Sequence, residues 1–294
     1  DALPIYLKKG FNEMKKVFAF ILVAFSVFFV FGCKKNEKTQ ETQPTEVASQ
    51  PTEVKDPTKP VETKTPDAPV TDIFTKGEGV MTYSEYVNAA LDSDVVIEAF
   101  IQGVQTFNPA YNNITLYLAD KDGAYFVYRA PADQELADKC TLGTKVKVSG
   151  TKSAWSGEVE ITNATIEFEE GSYIASSHEI EYLDEDAIEF QNQLVTITYA
   201  VVQDKGDGAA FLYKYNGSGS HEENSDLYYD VEIFGNTFTF VVESDLCDNT
   251  TDVYAAVEGL QVGDVLEITG FLYWYEGPQL HTTVIIFNTD SATE

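Results

Sequence analysis

An eight-residue pattern that returns 120 positions further along constrains this chain more than any other feature. Gly143-Thr-Lys-Val-Lys-Val-Ser-Gly150, followed by Trp155-Ser-Gly157, recurs as Gly263-Asp-Val-Leu-Glu-Ile-Thr-Gly270, followed by Tyr275-Glu-Gly277. In both copies the apolar residues alternate, Val146 and Val148 matching Leu266 and Ile268, as a strand with one buried face requires. A second match pairs the run from Val96 to Gln105 with the run from Leu194 to Gln203. From Gly77 onward short alternating strands are separated by Gly, Asn and Asp turns, so the repeat implies two β domains of about 95 to 100 residues each.

Between the matched strands each copy holds a hairpin and then a helix. In the first copy, strand residues Ile114 to Ala119 precede the turn Asp120-Lys-Asp-Gly123 and a strand from Ala124 to Tyr128, with a helix expected from Ala132 to Cys140. In the second, Tyr229 to Phe234 precede a turn at Gly235-Asn236 and a strand from Thr237 to Val242. The helix that follows, Asp252 to Leu260, gathers Val253, Ala256, Val257 and Leu260 on one face. Strand, strand, strand, helix, strand, strand is the order of an OB-fold barrel. The fold expected is therefore mostly β, with two tandem OB-fold-like five-stranded barrels, each carrying a short helix between strands 3 and 4. A helix precedes the first barrel, with Thr82 and Glu85 as a capping box and Tyr86, Ala89 and Ala90 facing inward.

Met81-Thr-Tyr-Ser-Glu-Tyr86, the turn and strand from Asp120 to Tyr128, and the stretch from Gly143 to Ile161 resemble a family of bacterial envelope lipoproteins with OB-fold domains. The resemblance covers about 90 residues of the first copy and implies fold and cell-surface location. No catalytic residue carries over with it.

The N-terminal region points the same way. Lys15-Lys16 precede an apolar core that ends at Val30-Phe31-Gly32-Cys33, the layout of a secretory signal whose Cys33 becomes an acylated N-terminus. Residues 1–13 read as an upstream extension, 14–32 as the lipoprotein signal peptide and 33–76 as a disordered tether rich in Thr, Glu and Pro. Residues 77–172 are the first barrel, 173–192 a linker with a short helix and 193–294 the second barrel. The expected location is extracytoplasmic, with the chain held to a bacterial cell membrane or outer membrane through Cys33.

The formal net charge is −29, and from Ile73 onward nine basic residues face 38 acids. A field of that sign repels phosphate backbones, so nucleic acid is expected to be disfavoured as a partner, leaving a protein or glycan of the envelope or host. Cys140 reads as a packed apolar residue beside Leu136, although pairing with Cys247 is open in an oxidising compartment.

Catalysis has little to draw on: three His in separate contexts, no nucleophile elbow, no phosphate loop and no metal-spaced Cys/His group. No enzyme activity, cofactor or metal is expected, and Asp120-Lys-Asp-Gly123 and Asp204-Lys-Gly-Asp-Gly208 read as ordinary turns. OB barrels bind on the face of strands 2 and 3, flanked by the loops joining strands 1 to 2 and 4 to 5. That face gathers Phe107, Tyr111, Tyr117, Tyr128 and Trp155 in the first copy. In the second it gathers Tyr213, Tyr273, Trp274 and Tyr275, with Phe211 and Tyr215 nearby. Rings beside acids suit sugars or peptides. The expected function is a non-enzymatic, lipid-anchored envelope binding or scaffold protein that uses these rims. The alternatives are a nucleic-acid-binding OB module accessory to an extracellular nuclease, and a hydrolase using acids and His221 on the long segment from Asp204 to Asp226.

Overall fold

The computed structural model describes residues 72–288, so the expected lipoprotein signal, Cys33 and nearly all of the expected tether lie outside the described residues. Helix α1 (Tyr83–Asn88) opens with the expected capping box, Glu85 N–H donating to Thr82 Oγ1 and the Glu85 carboxylate accepting from Thr82 N–H. Strands β1 (Asp94–Val104), β2 (Asn113–Ala119) and β3 (Ala124–Pro131) follow as a meander. Helix α2 (Gln134–Lys139) then leads to β4 (Thr144–Trp155) and β5 (Glu158–Ser172). The sheet closes in the order β1-β2-β3-β5-β4, with β3 parallel to β5 and β4 returning antiparallel to β1.

A short β6 (His178–Glu179) and a 3-10 helix (Glu185–Phe190) connect to the second copy. It comprises β7 (Leu194–Val202), β8 (Phe211–Tyr213), β9 (Leu227–Ile233), β10 (Asn236–Val242), helix α3 (Asp252–Glu258), β11 (Val265–Trp274) and β12 (Pro278–Phe287). Its order β7-β11-β12-β10-β9, closed by pairing of β7 with β9, repeats the first barrel strand for strand, and β10 and β12 are again parallel. Both copies are thus closed five-stranded OB-fold barrels, with β6 and β8 added at the flanks of the second. The alternation read from the repeat sets the cores: Val146, Val148, Leu266 and Ile268 are all fully buried.

Four local expectations shift. The hairpin between β9 and β10 turns on Phe234 and Gly235, both at positive φ, one residue earlier than expected, because Asn236 already pairs with Ile233. Helix α2 starts at Gln134 because the Asp133 carboxylate accepts from Leu136 N–H and takes the N-cap. Ala90 is exposed, since α1 ends at Asn88 and the chain leaves it extended, whereas Tyr86 is buried and Tyr83 and Ala89 pack against the same core. At the end of the expected tether, Phe74 packs edge-on against Phe100 and Tyr173, and Lys76 pairs with Asp120, tying the chain to the first barrel.

Both barrels belong to one compact unit. Between their two cores lies a third, built from Tyr117, Phe126 and Phe271 with Tyr128, Leu194, Leu246 and Tyr273 around it. Tyr117 stacks on Phe271 with centroids 4.3 Å apart. Gly103 makes room for this, since a Cβ there would stand 2.9 Å from the Phe271 ring.

Candidate functional site

The docking of the barrels leaves a cleft of about 1080 Å³ between them. One wall is the strand 2 and 3 face of the first barrel, with Thr115, Phe126, Tyr128 and Arg129, and the other is β10 and its neighbours in the second. This is the face on which OB barrels bind, here turned toward a second copy of itself. The chain accordingly has the architecture of an OB-fold binding module.

The two 4–5 hairpins close one end. Ser156 and Gly157 form the first turn at positive φ, Glu276 lies in the second, and Glu276 N–H donates to Ser156 O across the gap at 2.7 Å. Trp155 and Tyr275 are thereby brought to a centroid separation of 5.2 Å, and both remain about half exposed. Tyr128 and Tyr273 continue the aromatic lining.

Of the residues expected from sequence, the cleft brings together Tyr128, Trp155, Tyr273 and Tyr275, and Tyr215 joins them at the rim. The others lie elsewhere. Tyr117 is wholly buried in the inter-barrel core. Tyr213 packs on the second core and donates to Glu258 Oε1 at 2.7 Å, next to His221 Nδ1 on the same oxygen. Trp274 lies against Gly157 and lines a separate shallow depression. Phe107 is half-buried and Tyr111 exposed, and neither lines the cleft. The segment from Asp204 to Asp226 is partly ordered by β8, which pairs with β9.

The polar lining was not read from sequence. Arg129, the only arginine in the chain, stands at φ 49° where the β2–β3 register slips by one residue, with its N–H donating to Thr115 Oγ1. Such a bulge re-aims a side chain, and left-handed backbone at a non-glycine residue marks sites held by their surroundings. Its guanidinium lies 4.9 Å from the Tyr128 ring centre and, among the described residues, has no ion pair. Lys205, the other cation of the cleft, is engaged with Asp230.

Facing them are Asp226, Glu243 and Asp245. Burial, reinforced by the Asp226 and Asp245 carboxylates, pushes the Glu243 carboxyl up to about 8. Burial likewise raises Asp245, partly offset by Arg129. At the floor, His281 is buried, stacks on Tyr273 at 4.2 Å and is held neutral by desolvation, its pKa brought down to about 3. His281 had one sequence signal, a lone imidazole in the alternating run of β12. Arg129 and Glu243 had none, because the bulge exists only once β2 pairs with β3 and the facing wall only once the barrels dock.

Among the described residues no group of acids, His and Cys is arranged to hold a metal ion, and no helix is long and apolar enough to cross a membrane. The Asp120 carboxylate is engaged by its own turn, accepting from Asp122 N–H, Gly123 N–H and the Tyr125 hydroxyl. Cys140 and Cys247 are both free thiols.

The chain matches no protein-family model and no curated protein sequence. Among solved structures it is similar to a murine DNA binding protein bound with double-stranded DNA, at 14% identity over 68% of this chain and 99% of that one, with a TM-score of 0.33. It is also similar to p202 HIN1 in complex with a 12-mer double-stranded DNA, at 13% identity over 68% and 96% of the two chains, TM-score 0.29. A third is a single-stranded DNA binding protein from Thermus aquaticus, at 13% identity over 68% and 95%, TM-score 0.22. These neighbours are DNA-binding proteins, contrary to the expectation that nucleic acid is disfavoured as a partner.

Proposed function

We propose that this chain is a non-enzymatic binding module whose ligand lies between the two barrels, its rings stacked on Trp155, Tyr275, Tyr128 and Tyr273. The observation that carries the reading is the Trp155–Tyr275 pair, two half-exposed rings from equivalent hairpins of the two copies, 5.2 Å apart at the mouth of the cleft. Exposed rings converging on a concave surface, with polar groups placed among them, are a usual feature of a binding site.

Two ligand classes stack on rings. The saccharide reading is supported by the acids Asp226, Glu243 and Asp245, which accept hydroxyl hydrogens beside the stacking faces. The nucleic-acid reading is supported by Arg129, a guanidinium without an ion pair among the described residues, on the strand 2 and 3 face beside an aromatic ring, the combination that receives phosphate and base in single-strand grooves. The N-terminal signal and the resemblance to envelope lipoproteins support display of this module outside the cytoplasm on a lipid attached to Cys33.

Isothermal titration of the purified chain with oligosaccharide and oligonucleotide panels, repeated with Trp155→Ala and Tyr275→Ala, tests the reading. Stacking is worth about 1–3 kcal/mol per ring, so each variant should weaken its ligand by about 5- to 150-fold. Undiminished binding in both variants would remove the cleft as the site. Binding to oligonucleotides that weakens steeply with salt would select nucleic acid.

A further inference from the structure

At the cleft floor a run of hydrogen bonds crosses from one barrel to the other. Gln105 Nε2 donates to the Tyr117 hydroxyl at 3.2 Å, and the hydroxyl stands 2.6 Å from Nδ1 of His281. Tyr117 is wholly buried and its hydroxyl stays protonated, because burial raises its pKa well above the ordinary range. Desolvation keeps His281 neutral. A neutral imidazole that accepts at Nδ1 carries its proton on Nε2. With Gln105 donating to its oxygen, the Tyr117 hydroxyl has its own proton to give to Nδ1, the arrangement that places the His281 proton on Nε2.

The Nε2–H so defined has no hydrogen-bond partner among the described residues. Glu243 Oε1 is 3.7 Å away, beyond hydrogen-bonding distance, and no described side chain bonds the Glu243 carboxyl. Both groups line the cleft. An oxygen seated beside the pair on the cleft side, about 2.8 Å from each, would accept from the first and donate to the second. A hydroxyl accepts from the imidazole and donates to the carboxyl oxygen; an ammonium or a methyl group cannot accept from the imidazole.

We propose that His281 Nε2–H and the Glu243 carboxyl grip one hydroxyl of a saccharide ring whose face lies against the aromatic lining. The inference rests on the cleft being the binding site and names the ligand class and the residues that select it. A buried polar pair of this kind discriminates strongly, because an analogue without the hydroxyl leaves the N–H unpaired.

The test uses the whole chain. Gluco-, galacto-, manno- and xylo-configured oligosaccharides are titrated, then the monodeoxy analogues of the best binder, alongside ribo- and deoxyribo-oligonucleotides of one sequence. One deoxy analogue should bind about tenfold or more weakly than its parent. Glu243→Ala should abolish that preference and Glu243→Gln, which keeps an acceptor oxygen, should restore most of it. Nitrogen-15 NMR of His281 should show the Nε2–H tautomer in the native chain and a mixture in Tyr117→Phe.

A Nδ1–H tautomer in the native chain, or a deoxy preference unchanged in Glu243→Ala, would overturn the proposal while leaving the cleft reading intact. Preference for ribo- over deoxyribo-oligonucleotides without saccharide binding would assign the pair to a ribose hydroxyl and overturn the saccharide assignment. Binding unaffected by Trp155→Ala, or no binding of any probe, would overturn both readings.

Discussion

Gly157, in the 4–5 turn of the first barrel, pairs with Tyr275, in the 4–5 turn of the second, as an antiparallel bridge. The two copies therefore meet through the same element of the repeat. Glu158, beside the bridge, adds to it: its Oε2 accepts from Trp274 N–H at 2.9 Å and from Gln191 Nε2 at 3.1 Å. With the stacked Tyr117 and Phe271, these contacts tie the two barrels into one unit.

Gly157 has φ 99°, and a Cβ there would stand 2.5 Å from Cδ1 of Trp274. Gly157→Val combines a disfavoured backbone with a clash and should cost about 1–3 kcal/mol. Urea unfolding should then resolve two transitions, one per barrel. A single transition at the native midpoint would refute the bridge as the point of docking.

Lys152 is 5% exposed and donates to the carbonyls of Tyr86, Val87 and Ala89, closing the C-terminal end of α1 while its ammonium lies 5.1 Å from the Tyr86 ring centre. Lys152→Met keeps the stem and removes three donors, leaving carbonyls unsatisfied at about 1–3 kcal/mol. Hydrogen exchange should show α1 opening in the variant while β1 and β4 stay protected. Unchanged protection of α1 would contradict this role.

Glu158 is wholly buried, and desolvation raises its carboxyl from 4.5 to about 8 against the opposing pull of its hydrogen bonds from Asn192 and Trp274. Between those values the native state binds more protons than the unfolded chain. The stabilisation is therefore complete below about pH 4.5 and is lost as pH rises through 8, by up to about 1.4 kcal/mol per pH unit. Glu243 acts in the same direction. Glu158→Gln should flatten part of the slope and be more stable than the native chain at pH 8; equal slopes in both proteins would disprove the assignment.

Cys140 and Cys247 are separate thiols, each raised to about 11, chiefly by burial. A thiol reagent at neutral pH should modify them slowly in the native chain and rapidly in denaturant. Mass spectrometry without reductant should find no bond between them, and a recovered Cys140–Cys247 peptide would exclude this arrangement.

Much of the fold was legible because strand period and turn chemistry act over a few residues. The alternation of Val146 with Val148 and of Leu266 with Ile268 needs only a pleated strand with one buried face, and the Thr82 and Glu85 capping box needs only one helical turn. The candidate site was legible in part: Trp155 and Tyr275 were marked by their place after matched strands, whereas Tyr117 and Tyr213 carried the same aromatic signal and lie in packed regions.

From the sequence alone came the number of barrels, their strand order and which residues fill each core, because those follow from local periodicity. Only the tertiary structure decided which outward-facing residues are wet. Strand β2 is buried on both faces, Ile114, Leu116 and Leu118 within its own barrel and Tyr117 under the second. A period of two separates the inside of a barrel from its outside. It carries no information on whether another barrel, joined more than 100 residues further along, will cover that outside.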